Sequence, residues 1–396
     1  MRRLIFLYSH PIQYFAPLSR LAQEDGAFDV WTLYCSPQGI EALRDVEFEQ
    51  AIQWDIPLLE GYRSVFFRNW RGAYRPVGSF WSLVNPGVLT WLWKQPKGVL
   101  IVHGWGHFTH VLALVAGKML GYRIGLRGES NWRHEQQLPR WKRQLKRWLL
   151  GQGLFRFVDV FLYIGEENRQ FYLHMGVPEH RLAFAPYGVD NARFSSQWAR
   201  LKAEDRTGLR RRLGLPEDAL VVLFSGKLIP KKRPLDLLEA FHRASVPSAV
   251  LVYVGEGVLR TTIEARAQAL GIADVVYLTG FVNQSAIGQY YAAADVFVMC
   301  SDIGETWGLS TNEAMNFALP VLLSDLTGCA ADLCQPGVNG LVFPTGDIEA
   351  LAARLRYLLT LPPERRKAMG EASRAIVARY SYDVVLENLK RALLYA

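Results

Sequence analysis

Two glutamates, Glu305 and Glu313, stand eight positions apart in the stretch Asp302-Ile-Gly-Glu-Thr-Trp-Gly-Leu-Ser-Thr-Asn-Glu-Ala-Met-Asn-Phe-Ala-Leu-Pro320. A helix that begins near Leu309 must stop before Pro320, because proline disfavours helical geometry in the residue before it. That places Glu305 in the loop at the helix mouth and Glu313 about one turn inside. The first amides of a helix have no acceptor within it, so the backbone around Thr306, Trp307, Gly308 and Leu309 can hold an anion or a sugar oxygen. A carboxylate accepts two hydrogen bonds at once, which suits Glu313 to a vicinal diol such as a ribose. The bland alternative is two acidic residues at a helix start.

Two other loops carry suitable chemistry. Ser225-Gly-Lys-Leu-Ile-Pro-Lys-Lys-Arg-Pro234 joins an apolar run to a helical pattern and offers Gly226, Lys227 and Lys232 to a phosphate. Val254-Gly-Glu-Gly257 follows another apolar run. Its Gly255 and Gly257 allow close backbone approach, with Glu256 between them. Either loop alone is weak, since basic loops and glycine turns are common.

These loops need elements to position them. Short, nearly continuous apolar runs recur at 4–8, 30–34, 99–103, 123–126, 160–164 and 182–185, and again at 220–225, 249–254, 275–278, 296–299, 321–323 and 341–343. Such runs predict parallel strands covered on both faces. The intervening segments, such as 17–23 and 108–120, suit crossover helices. The pattern predicts an α/β fold of two doubly wound, Rossmann-like domains. We place an N-terminal domain at 1–190, a linker around 188–205 and a C-terminal domain at 206–375. The apolar spacing of Val384, Val385, Leu389 and Leu393 marks an amphipathic helix within 376–396, expected to pack back on the N-terminal domain.

Bulk properties agree. A chain of 396 residues is long for one core. Half its residues are hydrophobic, and its formal net charge of +8 suits anionic partners. The four cysteines form no C-x-x-C pair, which predicts reduced, buried thiols and a cytoplasmic setting. The opening Met1-Arg-Arg-Leu-Ile-Phe-Leu-Tyr8 mimics a leader but stops at Ser9-His-Pro11, so we expect a buried first strand. The apolar stretch 111–120 is shorter than the roughly 20 residues a membrane span requires.

Taken in order, the loops resemble those of the retaining glycosyltransferases of family 4. The matching stretches are Gly226-Lys-Leu-Ile-Pro-Lys-Lys232, Gly255-Glu-Gly257, Gly280-Phe-Val-Asn283, Tyr291-Ala-Ala-Ala-Asp295, Glu305 through Glu313 and Gly337-Val-Asn-Gly340. Pro186-Tyr-Gly-Val-Asp190 resembles the turn that ends that family's N-terminal domain.

The resemblance implies the GT-B fold, two such domains facing across a cleft, with donor residues in the C-terminal domain and the acceptor in the N-terminal one. It implies transfer of a sugar, with retention, from a nucleotide-diphosphate sugar. A UDP-sugar is expected before a GDP-sugar, and the acceptor is expected to be a hydroxyl of a glycan, a lipid-linked glycan or a small molecule. By position, Lys227 and Lys232 would hold the diphosphate, Glu313 the ribose and Glu305 the transferred sugar. The backbone at Phe281 and Val282 would meet the base, and Thr306 to Leu309 the sugar and phosphate. Lys227 stands where relatives have arginine, so the charge is kept but the bidentate fork is lost. With no D-x-D sequence, the expectation is metal-independent transfer without a cofactor.

In the N-terminal half, Ser9-His-Pro-Ile-Gln-Tyr14 replaces the glycine-rich loop that relatives often carry there. Many relatives also have a histidine near the position of Arg127-Gly-Glu129. We take His10 and His103 as candidate catalytic groups, and Gln13, Arg127 and Glu129 as candidate acceptor ligands. The alternatives are an inert core histidine at 103 and a surface ion pair between Arg127 and Glu129.

The stretch 139–157 is basic and rich in tryptophan. Its Trp141, Leu145, Trp148 and Leu149 either rest on an anionic membrane or, the reading the sequence favours, face the domain core. Two other functions remain open: a nucleotide-sugar epimerase of the same architecture, and a non-catalytic sugar-nucleotide-binding subunit. No nucleic-acid motif appears.

Overall fold

The computed structural model describes residues 2–40, 43–45, 50–52, 54–72 and 79–394. Its strands form two large sheets and a short ribbon of β3 (Leu43–Asp45) with β4 (Gln50–Ile52). The first sheet has seven parallel strands: β1 (Arg2–Tyr8), β2 (Phe28–Tyr34), β5 (Ser64–Phe66), β6 (Val99–His103), β7 (Arg123–Arg127), β8 (Val160–Tyr163) and β9 (Leu182–Phe184). Their order is β5-β2-β1-β6-β7-β8-β9. The second sheet has six parallel strands: β10 (Leu220–Ser225), β11 (Ala249–Val254), β12 (Val276–Leu278), β13 (Val296–Met299), β14 (Val321–Ser324) and β15 (Gly340–Phe343). They run β12-β11-β10-β13-β14-β15.

The apolar runs became strands because both faces of each sheet are covered. Leu4 to Tyr8 are all buried, so the leader-like start is a central strand. Ala249 to Val254 are likewise buried throughout. Each sheet reverses its strand order once, between β1 and β6 in the first and between β10 and β13 in the second. Ligands of doubly wound sheets bind beyond the carboxyl ends of the strands at such a reversal.

The chain divides into two compact units. The first comprises 1–43, 52–187 and 382–396, and the second 44–51 and 188–381. The last helix, Tyr382–Leu394, belongs to the first unit. There Lys390 Nζ meets Asp25 Oδ1 at 2.5 Å and the Arg123 guanidinium donates to the Ala392 carbonyl at 3.0 Å.

Residues 191–203, where the sequence suggested a linker, form a helix of the second unit. Asp190 caps it through the Arg193 amide at 2.9 Å, and Phe194 and Leu201 are buried. With so few apolar positions, its helical spacing was masked by polar and basic neighbours.

The basic, tryptophan-rich stretch also differs from expectation. An α-helix over Arg140–Lys146 widens into π-helical turns over Arg147–Gly153. Its four large apolar residues point to solvent, with Trp141 62% and Trp148 64% exposed and Leu145 and Leu149 about half so. They do not enter the core. Among the described residues, no helix is long and apolar enough to cross a membrane.

Candidate functional site

In the second unit, the loops after β10, β11 and β12 are stitched edge to edge. The Gly226 amide donates to the Val254 carbonyl, the Leu228 amide to Glu256 O, and the Leu259 amide to Leu228 O, each at 2.9 Å. The Gly255 amide reaches Gly280 O, also at 2.9 Å. A Cβ on Gly255 would lie 1.9 Å from the Gly226 carbonyl oxygen, and one on Gly257 2.6 Å from that of Leu228. Both glycines also have positive φ. They are therefore required by the approach of one loop to the other, whatever else they contact. Glu256 is held by Arg260 at 3.0 Å. Phe281 and Val282 follow Gly280 and are partly exposed.

The lysine loop is also tied to the segment after β13. The Asp302 amide donates to Lys231 O at 2.8 Å, and Arg233 bridges Asp302 and Asp236 at 2.7 Å each. Across the β10/β13 reversal, Lys232 Nζ forms an ion pair with Glu305 Oε2, and Ser301 Oγ donates to the same oxygen at 3.3 Å. Burial alone would raise the Glu305 carboxyl. The Lys232 charge and hydrogen bond, helped by Lys231 and Ser301, outweigh it and hold the group below its ordinary value.

Gly308, at φ 99°, turns the chain into the helix Leu309–Asn316, whose first amides precede any intrahelical bond. Trp307 is buried and donates from Nε1 to Asn312 Oδ1 at 2.8 Å. The preceding loop is pinned from behind, where a Cβ on Gly328 would lie 2.0 Å from Thr306 O. Glu313 is 1% exposed. Tyr291 Oη donates to its Oε2 at 2.8 Å and Gln284 Nε2 to its Oε1 at 3.4 Å, while Ser225 Oγ lies 3.1 Å from the tyrosine oxygen. The structure thus groups Lys232 with Glu305, and anchors Glu313 to the end of β10 through Tyr291 and Ser225. Lys227 lies between the zipped residues Gly226 and Leu228.

Gln284, Ser225 and Ser301 were not singled out in the sequence, and Tyr291 was noted only within a motif. Tyr291 was in principle legible, as an aromatic on the buried face of the helix Ile287–Ala293. The polar partners carried no signal.

In the first unit, Tyr8, His103 and Arg127 end the adjacent strands β1, β6 and β7. The rings of Phe15 and His103 are 4.8 Å apart, and those of Tyr8 and His103 4.1 Å. Arg127 is 4% exposed and packs beside the stacked Phe15 and Tyr187 rings, at 5.4 and 4.9 Å from their centroids. Its Nε has no hydrogen-bond partner, and no ion pair joins it to Glu129. Glu129 instead bonds the Tyr187 hydroxyl. The alternative of a surface Arg127–Glu129 pair is overturned, because Arg127 is drawn into the aromatic cluster.

His103 Nε2 and Gln13 Oε1 are also buried without partners. His10 Nδ1 lies 2.9 Å from Ser9 Oγ, and burial, with the His107 charge, lowers its pKa to about 4. Burial and the Arg127 charge push His103 well below the ordinary range. Both histidines are neutral at pH 7 and able to accept a proton only from a strong acid or in concert with bond making. The loop after β6 is anchored by Trp105, whose ring stacks on Phe171 at 6.0 Å. A Cβ on Gly128 would come within 2.3 Å of that ring. All four cysteines are buried and free. No group of side chains among the described residues is arranged to hold a metal ion.

Residues 205–376 match the family of glycosyl transferases group 1. A D-inositol 3-phosphate glycosyltransferase of Geodermatophilus obscurus is 32% identical over 238 residues, covering 57% of this chain and 50% of that protein. A GDP-mannose-dependent monoacylated alpha-(1-6)-phosphatidylinositol monomannoside mannosyltransferase of Corynebacterium glutamicum is 30% identical over 246 residues, covering 60% and 62%. The chain therefore spans between half and about three fifths of these relatives' lengths. Among solved structures, Anabaena HepE in complex with UDP and glucose superposes over 100% of both chains with a TM-score of 0.74 at 17% identity. Sucrose-phosphate synthase of Thermosynechococcus elongatus covers 100% of this chain and 98% of its own, at 0.72 and 20%. At these identities the likeness establishes the fold, which is GT-B.

Proposed function

We propose that this chain, whose residues 205–376 match the family of glycosyl transferases group 1, transfers a sugar from a nucleotide-diphosphate sugar to a hydroxyl with retention at the anomeric carbon. The observation that carries the proposal is the set of groups across the β10/β13 reversal: Lys232 paired with Glu305, and the buried Glu313 beside Tyr291. Cleavage of the sugar–phosphate bond leaves negative charge on the nucleoside diphosphate and positive character on the sugar. Lys227, Lys232 and the first amides of Leu309–Asn316 are suited to the former. The Lys232 ammonium has three donors, so it can keep Glu305 while binding a phosphate oxygen. Glu305 then orients the transferred sugar and Glu313 accepts from the ribose hydroxyls. This chemistry needs no metal.

The donor is tested first as a UDP-sugar. HepE was crystallised with UDP, whereas the Corynebacterium relative is named for GDP-mannose, so both bases belong in the test. The acceptor is a glycan, lipid-linked or small-molecule hydroxyl. The relatives' names supply inositol phosphate and phosphatidylinositol mannoside as models. A thermal-shift panel of nucleotide sugars, followed by product analysis with each stabilising donor, tests the proposal. A ligand that binds only the folded state raises the melting temperature. Stabilisation by none, or conversion of the donor sugar without any acceptor, refutes it.

The solvent-facing Trp141, Leu145, Trp148 and Leu149, interleaved with Lys142, Arg143, Lys146 and Arg147, further support peripheral attachment to an anionic membrane surface. Flotation with phosphatidylglycerol vesicles at low salt is the test. Binding should fall when Trp141 and Trp148 are both changed to Ala, and absence of wild-type flotation refutes the attachment.

A further inference from the structure

Arg127 is a buried cation without an anion. Its guanidinium is packed against the stacked rings of Phe15 and Tyr187, its Nε has no acceptor, and it forms no ion pair with a described carboxylate. The two ring contacts offset only part of what a guanidinium loses on leaving water. Chain economy alone would place a leucine or methionine there. Next to it, His103 is its register partner on β6, touches the same Phe15 ring and has an orphaned Nε2. Gln13 adds a third unsatisfied polar atom in the loop after β1. Three side chains at the carboxyl ends of neighbouring parallel strands thus each hold a buried polar atom whose missing partner a ligand could supply.

We propose that Arg127 is an oxyanion subsite in the first unit, and that the acceptor carries a phosphate or a carboxylate which the Arg127 fork binds. A planar guanidinium suits both groups, which share two coplanar acceptor oxygens. Neutral His103 supplies one further hydrogen bond, to the anion or to a neighbouring hydroxyl. The proposal rests on the transferase function given above and adds the class of acceptor.

The first experiment needs no turnover. Inorganic phosphate and, separately, acetate are titrated calorimetrically into a Lys232→Ala background, which removes the lysine loop as a competing anion site. Arg127→Gln is added to that background, with Arg127→Lys as a second variant that keeps the charge should the glutamine form not fold. Binding of phosphate or acetate that disappears with Gln and weakens with Lys is expected. Whichever anion binds identifies the acceptor group. Absence of binding, or binding indifferent to Arg127, overturns the subsite.

The second experiment compares matched acceptors, a sugar against its 6-phosphate and its uronic acid. In the wild type, kcat/KM should favour one charged form. Arg127→Gln should lower the charged-to-neutral ratio roughly 30-fold, mainly through KM, as expected when one partner of a buried charge pair is removed. A wild type that prefers neutral acceptors, or a variant that loses both acceptors in proportion, makes Arg127 merely a packing cation. Failure of the transferase function would look different, since no acceptor would then be glycosylated while anion binding persisted.

Discussion

The two sheets end in loops of opposite character. In the second unit, the charged groups at the strand ends have partners: Lys232 with Glu305, Arg233 with Asp236 and Asp302, and Tyr291 with Glu313. In the first unit, the equivalent positions hold orphans at His103, Gln13 and Arg127, and a deeper one at His110, whose two ring nitrogens both lack partners. The paired half is the one that matches the family. Paired groups make a preset site for a ligand of fixed chemistry, whereas orphans leave the recognition incomplete until a particular ligand arrives.

The contrast can be broken hardest at Lys232. In Lys232→Met the Glu305 carboxylate stays buried without its counter-charge, and removal of one partner of such a pair costs about 3–5 kcal/mol. The sign with pH follows. In the wild type Glu305 lies below its ordinary 4.5, so the pair stabilises above that value and the benefit is lost as pH falls through the folded one. In the variant burial dominates, so Glu305 should stabilise least at neutral pH and recover on acidification. Denaturant melts between pH 4 and 8 would show this. A loss equal at all pH values would mean the pair is not an ion pair in solution.

Next in size, Glu313→Ala should lower kcat/KM about 100-fold or more if it grips the ribose, and should abolish stabilisation by whichever nucleotide sugar raises the wild-type melting temperature. Unchanged turnover would remove Glu313 from the donor site. Gly255→Ala should cost about 1–3 kcal/mol from the clash with Gly226 O, with donor affinity falling alongside. Full affinity would show that the loops can part without consequence. The smallest effect is expected at His110, which burial pushes down to about 3. Between the ordinary 6.5 and that value the unfolded chain holds more protons, so stability falls as pH falls. His110→Leu should reduce the drop in melting temperature from pH 7 to pH 5. An unaltered drop would assign it to other groups.

Legibility in the sequence divides along the same line. Both sheets were readable, because buried parallel strands are continuous apolar runs. The three residues of β5 were not, since only a partly covered edge strand is formed there. The positions of Glu305 in a loop, Glu313 inside a helix and the lysine loop between strand and helix were readable because backbone turns fix their spacing. Glycine 255 was read as freedom for a ligand and proved to be space for Gly226, which is a fact of two loops meeting. The state of Arg127 was hidden for a similar reason. Its two ring neighbours, Phe15 and Tyr187, are distant in sequence, and only folding stacks them and sets a cation against them. The outward face of Trp141 and Trp148 also escaped, because periodicity gives a stripe without saying what it meets.

If the loops after β10, β11 and β12 hold the donor as proposed, their stitching governs how it arrives. A segment already fastened at both edges has little freedom left to surrender, so the encounter need not wait for a wall to assemble. Altering the base or sugar preference should therefore be a matter of exchanging side chains on a fixed frame. Transplanting one loop alone would carry half of a seam into a host that lacks the other half.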